Sequence, residues 1–500
     1  MHRLRVNWRV SLRLLGGVLK WLAVPLAIPL VVAVIDGDPL VPFLAPIAVT
    51  LAAGVGLEQL ETEKNMYTRE AYLMVSLSWL CVGLVGAIPF VLAGNGLLAA
   101  PSNAIFESMS GITTTGATII DDFGAHSRSI LLWRQVIQWL GGLGILVLAI
   151  SILSQLSVGG AQLMETESQT QDVQKLTPKI AGTARLIWRL YAGITLLATG
   201  GLFALGVAGI APGMDLFNAV SHAMTAVATA GFSPQPDSVG AFAPAAQWLL
   251  VPFMFIGATN FILLYFFVNG DWGRPFRNEE FRFYLALVVG ASVLMTLLLL
   301  VDADVATGGL EETVRLATFQ IVSLLTTTGF ATVDFNTWSP AAKHLLFACM
   351  FLGGMAGSTT CSIKLLRWLI VLKAFRRDLF TTIHPEAITP VRLSGTAVDE
   401  ATIRDIYAYT LLSLVIFALA TLVVVIDSAR VGLELSEFEA MSAAAATFFN
   451  IGPAFGIAGP FNSYSPFSTV TKAAMTLLMY VGRIEIIPVA VLFTRSFWQS

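Results

Sequence analysis

Apolar stretches long enough to cross a membrane recur along the whole chain and restrict its fold more than any other feature. A helix needs about 20 apolar residues to span the hydrocarbon layer of a bilayer. Such stretches occupy residues 14–34, 40–56, 73–93, 129–153, 187–207, 245–268, 283–301, 345–365, 407–426 and 472–493. Only 12% of the 500 residues are charged, about half the share in soluble globular proteins. The chain is therefore predicted to be an all-α polytopic membrane protein.

The distribution of lysine and arginine predicts the orientation of the chain. Cytoplasmic loops of membrane proteins carry most of the Lys and Arg residues. Basic residues cluster near the N-terminus, for example at Arg9 and Arg13, and again between residues 367 and 404. The opposite loops keep few, among them Arg128, Arg134 and Lys472. We therefore expect a cytoplasmic N-terminus and several passes through the plasma (inner) membrane of a prokaryote.

Four short polar segments, each with a glycine, lie between the apolar stretches and form an internal repeat. They are residues 113–117, 228–232, 326–330 and 449–453. When they are aligned on the glycine, the residue two positions earlier is polar in every copy: Thr114, Thr229, Thr327 and Asn450. A short helix is expected before each glycine, and Ser436 with Glu439 has the S-x-x-E spacing of a capping box. At about 12 residues, or ~18 Å, such a helix is too short to cross the membrane.

Short helices of this kind enter the membrane and return, which leaves irregular backbone at membrane depth. Such backbone is tolerated only where protein buries it or where it lines a watery cavity. We therefore predict four helix–pore-loop–helix repeats around a pseudo-fourfold pore, preceded by two extra transmembrane helices. The predicted regions are 1–70 for the N-terminal helix pair, 71–157 for repeat 1, 158–272 for repeat 2, 273–400 for repeat 3 and 401–500 for repeat 4.

The four loops have the chemistry that a dehydrated potassium ion requires. Backbone carbonyls replace its water shell in potassium channels, glycine permits the positive φ that turns a carbonyl toward the axis, and a helix C-terminus favours a cation. The predicted ion-binding residues are Thr114, Thr115, Gly116, Thr229, Ala230, Gly231, Thr327, Thr328, Gly329, Asn450, Ile451 and Gly452. The acids beyond the glycines are either an outer funnel that enriches cations or ordinary loop acids: Asp121, Asp122, Asp237 and Asp334.

Six motifs make the chain similar to the Trk/Ktr/HKT superfamily of potassium transporters, and most closely to its Trk-type membrane subunit. They are G-I-T-T-T-G-A-T at 111–118, W-R-Q-x-x-Q-W-L-G-G-L-G at 133–144, A-V-A-T-A-G-F-S at 226–233, T-T-T-G-F-A-T at 326–332, G-G-M-A-G-S-T at 353–359 and N-I-G-P-A-F-G at 450–456. The resemblance covers nearly the whole chain. Residues 1–70 resemble the extra helix pair of Trk-type members.

The resemblance implies more than the residues themselves can. The filter glycines of the family carry over onto Gly116, Gly231, Gly329 and Gly452. Sodium-preferring plant relatives have serine at the first of these positions, so Gly116 implies potassium. The family also implies a homodimer with one pore per protomer. Its partner is a cytosolic ring of RCK domains that binds nucleotide, gates the pore and would contact the inside linkers 158–183, 270–281 and 376–402.

Residues 353–360 interrupt an otherwise helical apolar run. They fit either a broken helix or a G-x-x-x-G helix contact through Gly353 and Gly357, and the clustered Gly, Ser and Thr residues favour the break. The resemblance implies an intramembrane gate loop here. The gate residues are then Gly353, Gly354, Gly357, Ser358 and Thr359, together with Arg483. This chain has Thr360 and Cys361 where the family usually continues with glycines.

Arg483 lies inside the last apolar run, where a charge must face protein or water. It is either part of the gate beside the pore, as the resemblance implies, or a structural residue paired with Glu485 or with a carbonyl of another helix. Substitution experiments distinguish the two interpretations, because the first predicts a change of flux and the second a loss of stability.

The main alternative function is a symporter that couples potassium to protons or sodium. Symporters usually have ionisable groups or broken helices near the membrane midplane. Carboxylates are nearly absent from the apolar stretches of this chain, and Glu485 is the chief candidate. This near-absence favours a pore. An enzyme is not indicated, because the histidines have no ligand spacing and Cys81, Cys349 and Cys361 fit buried small hydrophobic residues. Potassium is the expected transported ion; we expect no organic cofactor and no nucleic-acid partner, only membrane lipid around the chain.

Overall fold

The computed structural model describes residues 6–61, 67–151, 180–301 and 309–498, and these residues are mainly helical. The helices are α1 (Trp8–Asp36), α2 (Val41–Glu58), α3 (Thr68–Gly86), α4 (Ile88–Ala93), α5 (Pro101–Ile112), α6 (Arg128–Ser151), α7 (Ile180–Val207), α8 (Leu216–Val227), α9 (Pro244–Gly257), α10 (Phe261–Val268), α11 (Arg274–Arg277), α12 (Glu279–Val301), α13 (Leu310–Leu325), α14 (Pro340–Cys349), α15 (Leu365–Ile383), α16 (Glu400–Val431), α17 (Glu437–Phe448), α18 (Thr469–Arg483), α19 (Ile486–Leu492) and α20 (Arg495–Trp498). Between α15 and α16, β1 (Arg392–Leu393) pairs antiparallel with β2 (Thr396–Ala397). The predicted all-α class is confirmed.

Six helices in the described part of the chain are long and apolar enough to cross a membrane, or up to eight if each of two bent helix pairs is one span. The six are Trp8–Asp36, Val41–Glu58, Thr68–Ala93, Ala184–Val207, Glu279–Val301 and Glu400–Val431. Their outer surfaces expose large apolar side chains such as Trp21, Leu196 and Val301, which are 74%, 72% and 86% exposed. Lipid is the solvent that such surfaces require, so the chain is a multi-spanning membrane protein.

Three of the predicted spans are broken, and for two of them the expectation of a continuous helix was wrong. The stretch 245–268 forms α9 and α10, bent by 109°, and 472–493 forms α18 and α19, bent by 111°. In 345–365 the helix ends at Cys349 and resumes at Leu365. Asn260 starts α10 by accepting the N–H groups of Ile262 and Leu263. A hydropathy window averages over single residues of this kind and therefore misses the breaks.

The four short helices that precede the glycine segments are α5, α8, α13 and α17. Three of them have the expected 12 residues, whereas α13 has 16. The predicted capping box is present at α17, where the Ser436 hydroxyl accepts the Glu439 N–H and the Glu439 carboxylate accepts the Ser436 N–H at 2.8 Å. Asp215 caps α8 in a similar way by accepting the N–H of Asn218. Local sequence signals therefore fix where these helices begin.

The N-terminal helices α1 and α2 pack closely against each other, and α1 also contacts α3 and α6. A Cβ atom on Gly16 would lie 2.7 Å from the carbonyl oxygen of Gly54, so small residues are needed where the helices cross. Lys20 and Glu58 form an ion pair across them. The predicted boundary between residues 157 and 158, and the inside linker that follows it as far as residue 179, lie outside the described residues.

Candidate functional site

Each of the four short helices ends in the same left-handed turn. The residue two positions before each glycine has a positive φ: 54° at Thr114, 49° at Thr229, 54° at Thr327 and 56° at Asn450. The next residue donates its N–H to a carbonyl in the last helical turn, as Thr115 does to Ser110 at 2.9 Å. This is the Schellman ending of a helix, which usually has glycine in the left-handed position. A β-branched threonine is an outlier there, so surrounding contacts must hold the turn.

The four segment glycines, which we call the glycine ring, pack against one another in a closed cycle. Their φ values in chain order are 83°, 79°, 81° and 101°. A Cβ atom on any of them would lie less than 3.0 Å from a carbonyl oxygen of the next segment. The contacts run from Gly116 to Ala230, from Gly231 to Thr328, from Gly329 to Ile451 and from Gly452 back to Thr115. Glycine is therefore required both for its φ and for the close approach of backbones.

All of the predicted ion-binding residues lie in or beside this ring. The six threonine and asparagine side chains among them are fully buried. In segment 1 the hydroxyls of Thr113 and Thr115 are 2.8 Å apart. The side-chain amide of Asn450 reaches from segment 4 to the hydroxyl of Thr115, at 2.8 Å. The C-terminal ends of four helices converge on the ring, and their partial negative charge favours a cation there.

A cavity of about 400 Å³ opens on one side of the glycine ring. All four ring glycines line it, together with residues that follow them in the chain. Of the four acids predicted to form an outer funnel, Asp121 alone lines this cavity, and its carboxylate accepts hydrogen bonds from Ser463 and Ser465. Asp122 and Asp334 instead cap short 3₁₀ turns. Among the described residues, the acidic lining of this cavity is therefore a single carboxylate rather than a ring.

A buried ion pair that the sequence analysis did not single out lies beside the ring. Arg134, which we expected in an outer loop, is inside α6 and only 1% exposed. Its Nε donates to Glu107 at 2.7 Å, and its second nitrogen donates to the Ser233 carbonyl at 3.0 Å. Glu107 also accepts the N–H of Ile119 at 2.8 Å. The sequence signal for this ion pair was Arg134, a charged residue within the W-R-Q motif of an apolar helix, because a buried charge needs a partner.

Residues 350–364, which we call the inner loop, separate α14 from α15 and are not helical. The break that the sequence favoured is thus present and is wider than residues 353–360. Cβ atoms on Gly353 and Gly354 would lie less than 3.0 Å from the carbonyl oxygens of Cys361 and Ala258. Gly357 has a φ of 74°. These glycines let the loop fold back on itself, which differs from the G-x-x-x-G helix contact that was the other interpretation.

The inner loop is held against the glycine ring by three of the left-handed threonines. The hydroxyls of Thr359 and Thr229 are 2.9 Å apart. Thr327 accepts the N–H of Cys361 at 3.1 Å, and the hydroxyl of Thr114 lies 3.9 Å from the Cys361 sulfur. These threonines precede the glycines, whereas the cavity is lined by the glycines and residues after them. The inner loop therefore lies on the other face of the ring.

Two further residues that sequence analysis missed support the inner loop from the side. Asn260, in the break between α9 and α10, donates its side-chain amide to the Ala356 carbonyl at 2.7 Å. Glu280, fully buried near the start of α12, accepts the N–H of Ala356 at 2.7 Å. The sequence analysis placed Glu280 within the inside linker 270–281. Only its burial distinguishes it from a solvated residue.

Arg483 joins the inner loop to α6. It is 2% exposed, and one guanidinium nitrogen contacts the Thr359 carbonyl at 2.8 Å and the Cys361 sulfur at 2.7 Å. The other donates to the Gly141 carbonyl at 2.8 Å. Glu485 is not its partner, because that carboxylate pairs with Arg367 at 2.7 Å. Arg483 therefore bonds to a carbonyl of another helix, as the structural interpretation expects, and also contacts the inner loop.

Comparison with known proteins assigns these features to one family. The family model for TrkH, described as cation transport protein, matches residues 41–500. The chain is 34% identical to the Trk system potassium uptake protein TrkH of Halomonas elongata, over 99% of this chain and 100% of that protein. It is 34% identical to the Escherichia coli K12 protein of the same name, over 87% of each. The crystal structure of the potassium transporter TrkH from Vibrio parahaemolyticus matches with a TM-score of 0.87 at 30% identity, over 99% of this chain and 100% of that chain.

Proposed function

Because this chain belongs to the TrkH family of cation transport proteins, we infer that it takes up potassium across a membrane through a pore formed by its own helices. Potassium is the ion named for its relatives. The chain is a transporter and a membrane protein. The potassium ion is its cargo, and it is expected to pass the glycine ring between the cavity on one side and the inner loop on the other.

The closed contact cycle of the four ring glycines carries this proposal. Four segments that approach one another through glycine and carbonyl oxygen leave their backbones, rather than side chains, at the common axis. Backbone carbonyls are the ligands that replace the hydration shell of potassium. The selectivity filter would comprise Thr114, Thr115 and Gly116 with their counterparts in the other three segments. The division into an N-terminal helix pair and four repeats is part of this proposal.

The inner loop is proposed to be the gate. It lies against the three threonines Thr114, Thr229 and Thr327, on the side of the ring away from the cavity, so an ion that leaves the ring meets it next. Gly353, Gly354 and Gly357 give it a fold that depends on close backbone contacts, while Ser358 and Thr359 provide hydroxyls. Arg483 would hold the loop closed through its bonds to residues 359 and 361. Opening then requires these hydrogen bonds to break.

We further propose a homodimer in the plasma (inner) membrane of a prokaryote, with the N-terminus in the cytoplasm and one pore per protomer. Names of relatives that refer to a Trk system point to partner proteins in general. For this chain the proposed partner is a cytosolic ring of nucleotide-binding RCK domains at the inside linkers 270–281 and 376–402. Within the linker 376–402, Arg377 pairs with Glu400. Lys373, just before this linker in α15, pairs with Glu279 at the start of α12, so a force applied to the linker can reach α12 and Glu280.

Ion flux through the purified protein in proteoliposomes tests the pore directly. We expect potassium uptake that excess sodium does not abolish, and a current that reverses at the potassium equilibrium potential whatever the proton gradient. A reversal potential that moves with the proton or sodium gradient would identify a coupled symporter instead. Glu485, the carboxylate that a coupled symporter would use, is paired with Arg367. Absence of potassium flux under any gradient would refute both mechanisms.

A further inference from the structure

The four loops of the glycine ring are supported in different ways. In segments 1 and 3, threonines on either side of the left-handed residue bond to each other: Thr113 to Thr115 at 2.8 Å and Thr326 to Thr328 at 2.7 Å. Segment 2 has Ala228 and Ala230 at the matching positions, so it cannot form this pair. Thr229, the left-handed residue of segment 2, has a strained backbone conformation, as the corresponding residues of the other three segments do. Something outside the segment must therefore hold it.

Gln138 of α6 provides that support from the preceding repeat. Its side-chain nitrogen donates to the carbonyl oxygen of Ala230 at 2.6 Å, and its side-chain oxygen accepts the N–H of Phe232 at 3.0 Å. The two bonds flank Gly231, the ring glycine of segment 2. One of these backbone groups is an acceptor and the other a donor, so an uncharged amide satisfies both, whereas an ionised carboxylate or an ammonium group cannot. Gln138 is fully buried.

Packing alone does not require glutamine at this position. Three helices each place a glycine against the segment they contact: Gly141 in α6, Gly257 in α9 and Gly482 in α18. These positions are equivalent, because a Cβ atom on each glycine would approach the carbonyl of the residue four positions before a ring glycine. Those residues are Ile112, Val227 and Phe448, in the same order. Three residues before these glycines stand Gln138, Met254 and Met479, all fully buried. Two repeats thus fill the position with a thioether of similar length. The amide is specific to the helix that contacts segment 2.

We propose that Gln138 is a positioning residue for ion selectivity, which fixes the backbone of segment 2 from both sides of Gly231; this inference rests on the proposed function of the glycine ring as a filter. A carbonyl cage that discriminates against sodium by its size must not contract around the smaller ion, and contraction requires the peptide groups to rotate. The Gln138 amide opposes rotation of the two peptide groups that flank Gly231. Without it, segment 2 is the part of the ring most free to adjust to sodium.

The test compares Gln138→Met with Gln135→Met. The first variant installs the residue found at the equivalent place in α9 and α18 and removes both hydrogen bonds. The second is a matched control on the same helix, because Gln135 is equally buried and its side-chain amide contacts no hydrogen-bond partner within the described residues. Permeability to potassium relative to sodium is read from reversal potentials in proteoliposomes. This ratio does not depend on how much protein is inserted.

We expect the potassium-to-sodium ratio of Gln138→Met to fall about tenfold, equivalent to about 1.4 kcal/mol of differential ion binding, with the ratio of Gln135→Met unchanged. A wild-type ratio in folded Gln138→Met, or an equal fall in the control, overturns the proposal. Gln138→Leu is measured in parallel as a second apolar replacement. If neither Gln138 variant yields folded protein while Gln135→Met does, Gln138 is a folding determinant and the assignment is also wrong.

A third variant separates this inference from the filter assignment itself. Gly116→Ser alters the ring from segment 1, by placing a side chain against the Ala230 carbonyl, and leaves the Gln138 side chain in place. If Gly116→Ser lowers the selectivity ratio and Gln138→Met does not, the filter stands and the role of Gln138 is refuted. If neither variant changes the ratio, the glycine ring is not the filter and the proposed function fails.

Discussion

Arg483→Gln removes a buried charge from the contact between the inner loop and the helices around it. The guanidinium bonds to the Thr359 carbonyl, the Cys361 sulfur and the Gly141 carbonyl at 2.8, 2.7 and 2.8 Å. Glutamine keeps the polarity and much of the length but has one donor group in place of the guanidinium fork. It can retain a bond to one side of this junction only.

The size of the effect follows from the two contacts that involve the inner loop. A hydrogen bond to a charged group contributes roughly 1.5–3 kcal/mol. Losing one such bond destabilises the bonded inner loop by at least about 1.5 kcal/mol. This raises the ratio of released to bonded loop about tenfold. Removal of a positive charge beside a cation path acts in the same direction, because two like charges about 6 Å apart repel by roughly 2.8 kcal/mol at an effective dielectric of about 20. We therefore expect potassium flux to rise about tenfold, with the potassium-to-sodium ratio unchanged.

The assay measures potassium flux in proteoliposomes and thermal stability on the same purified variant. Arg367→Gln is the matched control, since it also removes a largely buried arginine, here one that pairs with Glu485, and no hydrogen bond or ion pair of Arg367 among the described residues reaches the glycine ring. We expect lower stability and wild-type flux from the control. Lost stability without added flux in Arg483→Gln would make Arg483 purely structural, and unchanged values of both would refute the argument.

Two further substitutions and one deletion test other parts of the site. Gly116→Ser forces a side chain into a residue with φ of 83° and against the Ala230 carbonyl, so the potassium-to-sodium permeability ratio should fall while the protein stays folded; an unchanged ratio removes Gly116 from the filter. Deletion of residues 354–358 removes the part of the inner loop that bonds Glu280 and Asn260, and basal potassium flux should rise. A stable variant that conducts no faster than the wild type would show that the loop has a packing role and is not a gate. Tyr464→Phe removes only the hydroxyl that donates to the Gly452 carbonyl at 2.8 Å, and the potassium-to-sodium ratio should fall by a few fold, which corresponds to the ~1 kcal/mol of one neutral hydrogen bond. A wild-type ratio would show that segment 4 keeps its position without this hydrogen bond.

The membrane class and the four glycine segments could be predicted from the sequence because their signals are local. A helix needs a run of apolar residues whatever its neighbours are, and a capping box such as Ser436 with Glu439 is complete within four positions. The polar residue two positions before each glycine recurs in the sequence, but its left-handed backbone was not predicted, because a positive φ was expected only at the glycines. The contact of each ring glycine with a carbonyl oxygen of the next segment was not visible in the sequence, since it joins segments that are about 100 or more positions apart in the chain.

The inner loop and its surroundings divide in the same way. Clustered Gly, Ser and Thr residues revealed the break after Cys349, whereas the bends after Gly257 and Arg483 left no trace in hydropathy. A buried carboxylate such as Glu280 and a solvated one have the same letter in the sequence. Only the folded chain distinguishes them, because burial is a property of the neighbours and not of the residue.

The sequence by itself determined that the chain spans a membrane, that four short helices end in polar glycine turns, and that potassium chemistry suits those turns. The tertiary structure alone decided which residues hold the turns in place. Arg483 contacts Gly141 across 342 positions and Gln138 contacts Ala230 across 92. No local propensity encodes such pairs, since they arise only when apolar packing of whole helices brings distant segments within hydrogen-bond reach.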